Sequence, residues 1–145
     1  MFNIFNKWEQ GRQIKVTEGQ GLLEAMQRIT TAMTAKHEAG VREGIEEMLL
    51  RFPSEWAARS FVVSVFLHLK EEQLALEQIA IGLALFPDKY VFHTQLARWL
   101  NKKEETTAAE KVLEEGWKHM RQHYPKNLQA QERAAFFNMN RPETF

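Results

Sequence analysis

The sequence predicts an all-α chain of about three antiparallel helix hairpins followed by a C-terminal capping helix. Three observations predict it. Phe52-Pro53 and Phe86-Pro87 stand 34 positions apart, and Tyr124-Pro125 follows 38 later. The chain also matches itself at the offset of 34. Lys36, Glu38, Glu43, Ile45, Leu49, Phe52 and Pro53 line up with Lys70, Glu72, Glu77, Ile79, Leu83, Phe86 and Pro87 without a gap. Finally, a unit of that length fits two helices of roughly 14 residues joined by tight turns, and is too long for one ordinary helix.

Each element follows from local chemistry. Residues 1–21 read as an arm or short helix. Phe2, Phe5 and Trp8 recur every three residues as one apolar face, and Gly11, Gly19 and Gly21 are expected to break any longer helix. The bland reading is a helix covering the first hairpin; the sharper one is a docking arm or homodimer contact. Helical hairpins fill residues 22–140, with 141–145 as a tail. The residue before a proline is steered out of the helix and the proline cannot enter a helix interior, so each aromatic–proline pair stops one helix before the next begins. Helices are expected over 56–69 and 72–86. Turns inside the hairpins fall at Ala35–Glu38, Lys70–Glu72 and Asn101–Glu105, each leading into a glutamate-bearing helix start that suits the helix dipole. The third copy keeps Glu105, Ala109 and Gly116 in register with Glu71, Ala75 and Gly82. Its second helix gains four residues before Pro125, about one turn. Leu128–Met139 supplies the cap.

On these residues the chain resembles the tetratricopeptide repeat family, which has a 34-residue period. Aligning Pro53 and Pro87 with the family's proline starts the repeats at Leu22, Trp56 and Tyr90. The family's small residue in the second helix falls on Val41, Ala75 and Ala109, and its later apolar residue on Ile45, Ile79 and Leu113. Departures are clear. Ile29, Val63 and Ala97 replace a glycine or other small residue, and Ala25, Arg59 and His93 stand where tryptophan is common. Arg28 occupies an apolar position. The resemblance covers about residues 22–125 and implies a right-handed solenoid whose first helices line a concave surface.

The groove positions implied by the resemblance are Leu23, Met26, Thr30 and Met33, then Ala57, Ser60, Ser64 and Leu67, then Val91, Thr94, Arg98 and Asn101. The capping helix adds Gln129, Glu132, Phe136 and Met139. Flexible methionines suit adaptable apolar contacts, although Met26, Met33 and Phe136 read equally well as core. Trp56, Trp99 and Trp117 are expected between helices. Trp99 adjoins Arg98, so one of the two is expected to face the groove and the other the core. Members of the family that clamp a C-terminal carboxylate use lysine and asparagine where this chain has Met26 and Thr30. That ligand class is therefore not expected.

Composition narrows the function. Nineteen basic residues balance nineteen acidic ones. No basic excess is available to neutralise phosphates or a membrane surface, so neither nucleic acid nor membrane is an expected partner. There are no cysteines, which removes disulfides and thiolate chemistry and suits a reducing, cytoplasmic setting. The N-terminal residues are interrupted by charge too early for a signal peptide. Glu115, His119 and His123 share a helical spacing that a metal could use, with a solvated polar face as the default. Adjacent acidic pairs such as Glu71-Glu72 diverge by about 100° on a helix and form no acid–base pair. No phosphate-cradling glycine loop or nucleophile elbow occurs. No cofactor and no catalysis are expected. The sequence points to a protein–protein interaction module, an adaptor or chaperone-like assembly factor. A self-associating or inhibitory protein is the alternative.

Overall fold

The computed structural model describes residues 4–141, with side chains described from residue 19. All regular structure among them is helical: α1 (Ile4–Thr34), α2 (Glu38–Arg51), α3 (Trp56–His68), α4 (Glu72–Leu85), α5 (Val91–Lys102), α6 (Thr106–Met120), a 3-10 turn (Arg121–His123) and α7 (Lys126–Met139). No helix among the described residues is long and apolar enough to cross a membrane. The chain divides into two compact units, Met1–Ala58 and Arg59–Phe145.

Three turns recur with one geometry. The amide of Lys36 donates to Met33 O and that of His37 to Ala32 O. Lys70 and Glu71 repeat this on Leu67 and Phe66, and Glu104 and Glu105 on Asn101 and Leu100. Such paired bonds, one spanning three residues and one spanning five, form the Schellman helix end. Its left-handed residue is Lys36 (φ 56°), Lys70 (φ 61°) and Glu104 (φ 62°), at successive intervals of 34. The next residue, His37, Glu71 or Glu105, already accepts the first bond of the following helix, from Val41, Ala75 and Ala109. Phe52 and Phe86 end α2 and α4 with nearly equal backbone angles, φ −126° and −130°.

In the first unit, α1 and α2 bury Ala25, Ile29, Val41, Ile45 and Met48. A Cβ on Gly44 would lie 2.6 Å from Ile29 Cγ1, so glycine is what permits this approach of the two helices. Arg28 and Arg51 reach Glu47 at 3.2 and 3.4 Å. The expected break at the glycines does not occur: α1 runs unbroken through Gly11, Gly19 and Gly21. One glycine costs a helix only about 1 kcal/mol, too little to end it without competing turn chemistry. The apolar face expected at Phe2, Phe5 and Trp8, and the dimer contact built on it, lie outside the described side chains.

In the second unit one cluster joins α3, α4 and α5 through Val63, Ala75, Ile79 and Phe92. Another joins α5, α6 and α7 through Ala97, Leu100, Leu113, Trp117 and Phe136. Phe86 stacks on Phe92 at 6.1 Å between ring centroids. Lys103 Nζ bridges to Glu72 at 3.0 Å and holds that carboxyl below its ordinary pKa. The capping helix arrives as α7, tied to α6 by an Arg133–Glu114 ion pair. The extra turn before Pro125 is 3-10 rather than α-helical.

Candidate binding surface

The first helices place the expected surface residues as follows. In the first unit Met26 and Met33 are half-buried and Thr30 is exposed, its hydroxyl donating to Met26 O at 2.9 Å. In the second unit Ser60, Leu67 and Thr94 are half-buried, and Ser64 and Arg98 are exposed. Thr94 Oγ1 donates back to Tyr90 O, and Ser64 Oγ to Ser60 O. Hydroxyls spent in this way on their own helix leave small, weakly polar surface rather than reactive groups.

Within the second unit Gln95 ties two of these helices together, a role that is not among the sequence expectations. Its Nε2 donates to Ser60 O at 3.0 Å, Ser60 Oγ at 3.2 Å and Ser64 Oγ at 3.4 Å. The bonds pin α5 against α3 across 31 to 35 residues of sequence. The neighbours of Gln95 on α5, His93, Thr94 and Arg98, are polar too, so no local signal singles it out. Arg98 follows one turn after Thr94, on the exposed side.

Two groove candidates pack inward instead, Phe136 in the core and Trp99 half-buried against it. Phe136 is 4% exposed and packs against Trp117, Tyr90 and Phe137 at centroid distances of 6.2, 5.9 and 5.7 Å. The cap closes its hairpin with this ring, so the ring cannot also face a ligand. Trp99 resolves the Arg98–Trp99 alternative. Its indole packs on the α5–α6 cluster with its Nε1 buried, and Lys103 Nζ stands 5.7 Å from the ring centroid. Glu132 is half-buried on α7, and Met139 is exposed. Of the other tryptophans, Trp117 is buried, whereas Trp56 is 38% exposed.

Glu115, His119 and His123 do not assemble. Among the described residues no group of three His, Asp or Glu side chains could hold a metal ion. Glu115 is engaged by Lys118 at 2.8 Å, which holds its carboxyl below the ordinary value. His119 turns instead toward His93, with ring centroids 5.8 Å apart. His123 lies in the 3-10 turn, whose three residues per turn rotate it away from the α-helical register that the spacing assumed.

An open concavity of about 580 Å³ lies on a different face of α1, between that helix and α2. Arg28, Thr31, Ala32, Ala35, Gly40 and Glu43 are among its lining residues, and Met26, Thr30 and Met33 are not. Its walls carry the Arg28–Glu47 ion pair, Glu43, His37 and small side chains. No family model, curated protein or solved structure matches the chain.

Proposed function

We propose that the chain is a non-catalytic protein–protein interaction module of tetratricopeptide-like hairpins, acting in a reducing compartment such as the cytoplasm. It holds a short helix or extended segment of another protein against its first helices. The observation that carries this reading is the Schellman turn repeated at Lys36, Lys70 and Glu104. Repeated hairpins of this length present first-helix faces in series, and such faces serve recognition rather than chemistry. The Ser60–Ser64–Gln95 group gives a small-residue floor on which a partner backbone can approach closely. Arg98, on the same helix as Gln95, is exposed and carries the charge that the test below reverses.

The test begins with affinity capture from the native cell and identification of the bound protein by mass spectrometry. Binding of that purified partner is then measured against Arg98→Glu. Charge reversal at a contact is expected to weaken affinity by about tenfold or more while leaving the melting temperature within a few degrees. Unchanged affinity would remove the first-helix face as the binding surface.

A further inference from the structure

His93 is a buried titratable group in the α5–α6 hairpin. It is 8% exposed, and its Nδ1 is buried with no hydrogen-bond partner. Gly116 makes room for it: a Cβ there would stand 2.9 Å from His93 Cβ. That same Cβ would stand 3.6 Å from Phe136 Cζ, so α5, α6 and α7 converge on one spot. The groups facing His93 from α6 are His119, with its ring centroid 5.8 Å away, and Glu115. Glu115 is already bonded to Lys118.

A neutral imidazole is the better tolerated form here, because a bare ring nitrogen without a donor costs less than an unpaired buried charge. An imidazolium is disfavoured, because both of its nitrogens become donors and Nδ1 has no acceptor. We infer that the His93–His119 contact is an acid-sensitive latch: proton uptake by His93 loosens the α5–α6 hairpin and the α7 helix seated on it.

The sign follows from the surroundings. Burial first, and the neighbouring His119 second, hold the His93 pKa below its ordinary 6.5, against a smaller opposing pull from Glu115. A histidine depressed in the folded state leaves stability intact above its unfolded value. Stability is then lost as the pH falls from about 6.5 toward the folded value.

The experiment is thermal denaturation of the full chain at about pH 7.5 and about pH 5.5, for wild type, His93→Gln and His119→Gln. The wild-type midpoint is expected to drop between the two conditions. The drop should nearly vanish in His93→Gln and shrink in His119→Gln. An equal drop in wild type and His93→Gln would overturn the latch. Should His93→Gln fail to fold, an NMR titration of the wild-type imidazole protons decides. His93 is expected to titrate below the ordinary histidine value of 6.5. Titration of His93 at or above 6.5 would overturn the latch equally.

Discussion

Met48 and Ala58 in the first unit hold the same register as Gly82 and Phe92 in the second, 34 residues on, but their sizes are reversed. All three non-glycine residues are fully buried, and Gly82 is buried as well. In the first unit the large side chain is on the second helix of the hairpin and the small one on the helix that follows. In the second unit the bulk sits on the following helix: a Cβ on Gly82 would fall 2.5 to 2.7 Å from the Phe92 ring. Backbone register and side-chain packing are therefore set separately. The Schellman turn and the aromatic–proline stop fix the register, and each hairpin then fills its interior with whichever partner carries the volume.

The strongest way to break that comparison is to remove the bulk. Phe92→Ala is expected to cost about 3–5 kcal/mol and Met48→Ala about 2–5 kcal/mol, read from urea midpoints. The informative variant is the exchange, Gly82→Met with Phe92→Ala, which writes the first unit's pair into the second. Recovery of about 1 kcal/mol or more over Phe92→Ala alone would establish that the two registers are interchangeable. No recovery would mean that the second unit needs its ring for another reason, such as the Phe86 stack.

A smaller effect tests the close approach itself. Gly82→Ala gains helix propensity but presses a methyl group into a ring with no exposed surface to move toward. The net loss is expected at about 1–2 kcal/mol. Gly19→Ala is the control, because nothing lies within 4 Å of the position its Cβ would take. It should stabilise α1 by about 0.5–1 kcal/mol. Melting temperatures moving in the same direction for both would contradict the packing argument.

Much of this architecture was legible because its signals are local. The prolines place the ends of α2 and α4, and polar stretches place the three inner turns to within a residue or two. What was not legible depended on partners distant in sequence. Phe136 reads equally well as groove or core by register, and is core because Trp117 and Tyr90 surround it. Gln95 gains its role only when α3 lies beside α5. The pairing of His93 with His119 links two helices, whereas the spacing of Glu115, His119 and His123 suggested a contact along one. The glycines of α1 misled for a related reason. A glycine weakens a helix by about 1 kcal/mol, and no proline in residues 11–21 adds a stop to it.

The three left-handed turn residues give the finest test of the repeat. Lys36, Lys70 and Glu104 all carry a Cβ at positive φ, where a side-chain-bearing residue pays about 1–2 kcal/mol that glycine does not. All three are exposed, so truncation removes no packing. Glycine also raises the entropy of the unfolded chain, which offsets part of the gain. Each of Lys36→Gly, Lys70→Gly and Glu104→Gly is therefore expected to stabilise by about 0.5 kcal/mol. The turns lie far apart in sequence and share no hydrogen bonds, so a triple variant should approach the sum to within about 0.5 kcal/mol. Equal increments would make the turns equivalent in energy as well as in angle. A loss at any one of the three would show that its side chain stabilises the turn, and would separate that hairpin from the other two.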